Sequence, residues 1–275
     1  MRLLALTLAV LAGIIGQASA ADLPLKARPL PPPAMSWTGC YLGLGGGWGK
    51  FTEQTQLVTT RVFGGIPPNT TFVDGLTQGG SGWLATAQVG CDYQFAGPWG
   101  RGLVVGAFAD GDWSDIGGNH TGGDVNIGLQ QGVEKLRSSW SVGGRAGVLV
   151  TPQLLTYVSG GYTEARFDGF DYFSAVFPTI GVRNGLQLPA RTHQGWFVGA
   201  GTEYALDWLP GLFWKTEYRW AEYNWQTSPV NCGTAALCGP VGPIAFAERN
   251  RPSVQTVRTE LVWRFNWGQP LTARY

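Results

Sequence analysis

"VRTELVWRFNW", residues 257–267, alternates strictly. Val257, Thr259, Leu261, Trp263, Phe265 and Trp267 point one way, and Arg258, Glu260, Val262, Arg264 and Asn266 the other. A period of two marks a β-strand with two unlike faces. In a soluble sandwich the aromatic face would be the core. In an outer-membrane barrel the order inverts, with aromatics in lipid and charges in the lumen. The stretch by itself fits either arrangement, so the choice rests on the remaining sequence.

Charged residues make up 13% of the 275-residue chain, against about 25% in a typical soluble domain. Glycine supplies 42 residues, roughly double its usual share. A lipid-facing surface accounts for the charge deficit, and glycine lets strands pack and curve in a closed sheet.

The N-terminus reads as a signal peptide over 1–20: Arg2, the apolar run "LLALTLAVLAGII", then "ASA" at Ala18–Ala20. That run is too short to cross a bilayer as a helix, and no later stretch reaches the ~20 apolar residues required. Without Arg2 the 19 basic residues become 18 and match the 18 acids. This balance offers no electrostatic attraction for nucleic acid.

Residues 21–36, "ADLPLKARPLPPPAMS", form a Pro-rich periplasmic tether. Eight candidate strands follow, at about 37–49, 82–95, 102–113, 136–150, 154–166, 193–206, 212–226 and 254–267. Their connections alternate in length. Long segments at about 50–81, 114–135, 167–192 and 227–253 are interleaved with short ones at 96–101, 151–153 and 207–211. Long–short alternation over an even strand number is the pattern of an all-β, eight-stranded antiparallel up-and-down transmembrane barrel with four long outer loops and short periplasmic turns. The expected barrel occupies 37–267, followed by a tail at 268–275.

The faces agree from strand to strand. Apolar positions include Leu42, Leu44, Trp83, Val89, Tyr93, Val105, Trp140, Val142, Trp196, Val198, Trp214 and Tyr218. Trp37, Trp48, Trp83, Trp113, Trp208, Trp220 and Trp267 fall near strand ends, as interfacial girdles do. The opposite face carries Asp92, Asp110, Asp112, Arg137, Arg145, Glu203, Lys215, Glu217, Arg219, Arg258, Glu260 and Arg264. Six acids and six bases on one face are expected to pair and fill the lumen, together with Tyr41, Phe108, Phe197 and Tyr223. The fifth strand, "LLTYVSGGYTEARF", fits either phase.

"SWTGCYLGLGGGWG" at 36–49 resembles the opening strand of the alphaproteobacterial outer-membrane β-barrel proteins, the small porin-like, opacity-type surface antigens; the Ala-Asp-Leu-Pro tether matches too. "VGAGTEYAL" (198–206), "WKTEYRWAEY" (214–223) and "VRTELVWRF" (257–265) are similar to later strands of that family. The resemblance implies residence in the Gram-negative outer membrane, contact with its lipid and insertion by the barrel-assembly machinery. It also implies a part in envelope integrity and surface contacts, with an extracellular partner unknown. The chain departs from the family at Cys40, where Phe is common, and in "GQPLTARY" after Trp267, so either Phe265 or Tyr275 serves as the terminal assembly aromatic.

No catalytic, cofactor or metal motif stands out. A hydrolase needs a nucleophile and a base. His120 and His193, the two histidines, lie in or beside outer loops with no nucleophile elbow nearby, and read as solvated loop residues. The sequence is therefore read as a non-enzyme without cofactor. The alternatives are a narrow porin-like channel for small solutes and a lipid-modifying barrel enzyme.

Cys232 and Cys238, separated by "GTAAL", are expected to form a disulfide in the fourth outer loop of an exported chain. Cys40 lies eight residues before Trp48, and Cys91 eight after Trp83. If both Trp residues mark one girdle, the cysteines are neighbours across the first hairpin, on the lipid face near the periplasmic end. At Cα separations of about 4.4–6.8 Å they would be free to bond.

Overall fold

The computed structural model describes residues 36–97, 101–124, 128–175 and 180–265. The expected signal, all but the last residue of the tether, Trp267 and the tail lie outside them. Among the described residues eleven strands run antiparallel: β1 (Gly39–Thr59), β2 (Thr71–Ala96), β3 (Gly102–Asp124), β4 (Gly128–Thr151), β5 (Leu154–Phe167), β6 (Phe170–Ser174), β7 (Arg183–Leu188), β8 (Arg191–Ala205), β9 (Leu212–Tyr223), β10 (Gln226–Cys232) and β11 (Gly242–Phe265). One helical turn, α1 (Ala235–Cys238), precedes β11.

Eight strands close a ring in the order β1-β2-β3-β4-β5-β8-β9-β11, with β11 pairing back onto β1. Closure removes every free edge, so each backbone group in the wall finds a partner, as a membrane-spanning sheet requires. The opening stretch is resolved by side-chain exposure. Val257, Leu261, Trp263 and Phe265 are 52%, 54%, 41% and 43% exposed, whereas Arg258, Glu260 and Arg264 are each 3% exposed. The aromatic face is the outside of the barrel and the charged face lines its interior.

An outer ring of aromatics follows from register. Trp48 pairs with Trp83, Ala85 with Trp113, Gly111 with Trp140, Tyr162 with Trp196, and Val198 with Trp220. Trp37 is not part of a girdle. It is fully buried at the periplasmic mouth, where Nε1 donates to the Pro152 carbonyl at 3.1 Å. β5 takes the phase that buries Leu155, Tyr157, Thr163 and Phe167 and exposes Val158 and Tyr162.

The expected long outer loops are largely strand. β1 continues ten residues past Gly49, and β3 and β4 continue past Trp113 and before Leu136. Above the aromatic ring, β6 pairs with β4, β7 with β6, β10 with β7, and β11 with β10. β6, β7 and β10 thus succeed β5, β8 and β9 in the wall, and the barrel extends upward as a second closed circuit. The alternation that marks a lipid-crossing strand is apolar-out, and here the outward face turns polar (Thr52, Gln54, Gln56). The inward face continues as Phe51, Glu53, Thr55 and Leu57. Period two persists while the hydrophobic contrast vanishes, which is why these segments read as loops.

Cys40 and Cys91 are directly opposed, with Cα atoms 3.9 Å apart, and are disulfide-bonded. Cys232 and Cys238 bond across α1, with Cα atoms 5.7 Å apart.

Candidate functional site: the charged lumen

The lumen is filled in tiers. Nearest the periplasm, Arg145 donates from Nη1 to Glu203 at 3.0 Å and from Nε to Asp92 at 3.0 Å. Arg264 donates from Nε to Glu203 at 2.9 Å and from Nη1 to Asp92 at 2.8 Å. Two acids and two arginines from β2, β4, β8 and β11 form a closed square across the barrel. Aromatic rings flank it, with the Arg145 guanidinium 4.6 Å from the Tyr41 ring centre and that of Arg264 4.8 Å from Trp37. Gly106 makes room for this square, because a side chain there would run into the Asp92 carboxylate.

In the middle tier Lys215 donates to Glu260 at 2.9 Å and to Gln88 at 2.6 Å. Tyr157 donates to Glu217 at 2.8 Å, and Arg219 to Glu217 at 2.9 Å. Arg219 also reaches Asp110 at 2.8 Å, and Arg258 joins Asp110 at 3.1 Å to Asp112 at 2.6 Å. Phe108 and Phe197 pack against Arg219, whose guanidinium is 4.1 Å from the Phe197 ring centre. A cavity of about 20 Å³ lined by Leu84, Asp112, Ser114, Tyr223 and Arg258 has room for about one water. Charges this deep are tolerated only because each has hydrogen-bonded partners of opposite sign.

Eleven of the twelve charges expected in the lumen lie there, and Arg137 does not. It is on the outer surface and pairs with Asp168 at 2.7 Å, its side chain 53% exposed. A register shift between Leu136 and Ser138 in the β4–β5 pairing inserts an extra residue. Such a bulge reverses the parity of the strand, so even-numbered Glu134 and Leu136 face inward above it, odd-numbered Ser141 and Arg145 below it, and Arg137 falls outside.

The third tier lies inside the upper wall. Glu53 is five residues past Trp48, about 13 Å above the aromatic ring for a tilted strand. Here Arg191 donates to Glu53 at 3.1 Å and to Glu134. His120 bridges two acids, with Nδ1 3.1 Å from Glu134 and Nε2 2.8 Å from Glu248. Tyr172 of β6 donates to Glu248 at 2.5 Å. The expectation that His120 and His193 are solvated fails, since both are fully buried, His120 in β3 and His193 in β8. His193 packs edge-on against Phe167, ring centres 5.6 Å apart. Glu53, Glu134, Arg191 and Glu248 join them here, although all four fall in segments whose sequence reads as outer loop. The overlooked signal was the inward period-two series Phe51, Glu53, Thr55, Leu57.

Three carboxylates against two cations leave the outer tier one negative charge in excess. Burial, then the adjacent Glu134, pushes the Glu53 carboxyl up to about 8 against the pull of Arg191. Burial opposes charge on His120, but Glu248 and Glu134 outweigh it and raise the ring to about 10. Glu134 is held below the usual carboxylate range: burial works against its charge, and Arg191 and His120 overcome it. At neutral pH Glu53 is therefore protonated and His120 charged. Ligand atoms of Glu53, His120 and Glu134 lie within 4.8 Å of one another. That spacing would suit a metal ion, but Arg191 occupies the position between the two glutamates and both His120 nitrogens are engaged.

No protein-family profile matches this sequence. The chain is 26% identical over 202 residues to the 31 kDa outer-membrane immunogenic protein of Brucella melitensis, covering 69% of this chain and 75% of that one. Among solved structures it is similar to neisserial surface protein A (10% identity, 83% of this chain and 98% of that one, TM-score 0.36). It is also similar to the outer membrane protein AlkL in lipid bilayers (14% identity, 88% and 98%, TM-score 0.37). The closed barrel with its aromatic outer belt, together with the outer-membrane relative, locates the chain in the Gram-negative outer membrane.

Proposed function

We propose that this outer-membrane β-barrel is a structural, surface-displaying protein with a plugged lumen, contributing to envelope integrity and to contacts at the cell surface. The observation that carries this reading is the stack of ion-pair tiers spanning the barrel, in which Arg145, Arg219, Arg258 and Arg264 each bond acids on other strands. Eight strands enclose an interior just wide enough for side chains to fill, whereas open porins use about 16–18. Opening a path would strip partners from buried charges, at several kcal/mol for each one left unpaired.

Display is supported by the upper wall, which lifts the β1–β2 tip clear of the membrane with Val62 and Phe63 exposed. The Brucella relative is named as immunogenic, which agrees with surface exposure there. Planar-bilayer recording on refolded protein tests the plug, and the expected record is at most small, infrequent steps. Stable conductance of general-porin size, or free passage of disaccharides in liposome swelling, would replace this reading with the channel.

A further inference from the structure

The outer wall carries a built feature that neither the plugged lumen nor surface display uses. A groove of about 550 Å³ is lined by Val198, Gly199 and Ala200 of β8, Tyr218 and Trp220 of β9 and Gln255 of β11. Ala200 leaves the gap, because its larger outward neighbours stand around it. Two contacts hold the walls in place. Trp196 meets Trp220 edge-to-face with ring centres 5.5 Å apart, and Tyr218 donates to Gln255 Oε1 at 3.1 Å. The groove begins at Trp220, in the outer aromatic ring, and continues toward the bilayer centre past Tyr218 and Ala200.

Immediately above, and sharing Trp220, lies a polar hollow lined by Thr52, Gln54, Thr77, Glu222, Arg251 and Ser253. Register orders the rows: Lys50 pairs with Gln255, Thr52 with Ser253, and Gln54 with Arg251. Arg251 pairs with Glu222 and keeps 40% of its side chain exposed. Lys50 is exposed and has no ion pair or side-chain hydrogen bond among the described residues. Four residues of strand, about 13 Å, separate the Lys50 and Arg251 rows, so two long side chains flank the Thr52–Ser253 row from either end. Lys50 and Arg251 against Glu222 leave this surface net positive.

The vertical order is that of a lipid molecule, with an apolar slot below the aromatic ring and a cationic, hydroxyl-bearing shelf above it. We propose that this face binds one phosphorylated acyl lipid of the outer leaflet, with a chain in the groove at Ala200 and the phosphate on the shelf between Lys50 and Arg251. Charge-assisted bonds to phosphate oxygens supply the headgroup preference. The preformed walls limit the ordering that binding would otherwise demand.

Native mass spectrometry of the full chain in detergent tests this. The probes are dilauroyl phosphatidic acid, dilauroylglycerol with the same chains and no phosphate, and inorganic phosphate. The expected result is one saturable phosphatidic acid per barrel, bound about tenfold tighter than dilauroylglycerol, about 1.4 kcal/mol, with no saturable binding of inorganic phosphate. Lys50→Gln should erase most of that preference, and Ala200→Phe should weaken both lipids. Neither position touches the lumen, so both variants keep the folded, heat-modifiable form on gels. Equal affinity for the two lipids, saturable binding of inorganic phosphate alone, or lipid binding indifferent to both substitutions would overturn the assignment.

Discussion

Replacing Glu53 with Gln should stabilise the barrel increasingly as pH rises. Glu53 is fully buried beside Glu134, and its carboxyl is pushed from an ordinary 4.5 up to about 8. Between those values the unfolded chain has released the Glu53 proton while the folded barrel still holds it. Stability conferred by the protonated group is complete below about 4.5 and is lost as pH rises toward 8. The slope is about 1.4 kcal/mol per pH unit, so about 4 kcal/mol between pH 5 and 8. Glutamine titrates in neither state. Its carbonyl oxygen accepts from Arg191 as Glu53 does, and its amide can donate to Glu134 in place of the protonated carboxyl. His120, raised to about 10, stays charged in the folded barrel over this range, and its titration in the unfolded chain is common to both proteins.

The assay is urea unfolding in dilauroyl phosphatidylcholine vesicles, followed by tryptophan fluorescence from pH 5.5 to 8.5. Glu53→Gln should gain on wild type steadily up to pH 8 and no further. Glu134→Gln removes a carboxylate paired with Arg191 and His120 but leaves Glu53 and Glu248 against the same two cations, so the Glu53 carboxyl should fall from about 8 toward the ordinary carboxylate range, read as a shallower loss of stability with rising pH. A difference between Glu53→Gln and wild type that stays flat with pH would mean that folding does not raise the Glu53 carboxyl. So would a loss of about 3–5 kcal/mol for Glu53→Gln at pH 7, the cost of breaking a buried ion pair.

Arg145→Met leaves Asp92 with Arg264 alone and should lower the unfolding free energy by about 3–5 kcal/mol in the same urea titration, while planar-bilayer conductance stays low. Arg137→Met, removing an exposed pair with Asp168, should leave the urea midpoint where it is. The Cys40–Cys91 bond closes a separation of 51 residues and Cys232–Cys238 one of 6. Chain entropy therefore predicts losses of about 4 and about 2 kcal/mol for Cys→Ser at each pair, measured as shifts in unfolding free energy.

The barrel itself was legible in the sequence because lipid imposes a two-valued pattern: apolar side chains outward and polar ones inward on every strand from Leu42 to Phe265. The same pattern placed Cys40 beside Cys91 and put eleven of twelve lumen charges on the inner face. Above the membrane, water meets the outward side chains and the contrast disappears, so Glu53, His120, Glu134, Arg191 and Glu248 read as loop. Their assembly depends on strands far apart in the chain closing a second circuit, which no local pattern records. Arg137 shows the complementary limit. One extra residue between Leu136 and Ser138 reverses the parity of β4, and a bulge is set by pairing with β5 rather than by the composition of β4 itself. Sequence alone determined that charges fill the interior. The tertiary structure decided which acid meets which base, and that three acids share two cations in the outer tier, because partner choice is fixed by the register and closure of the whole sheet.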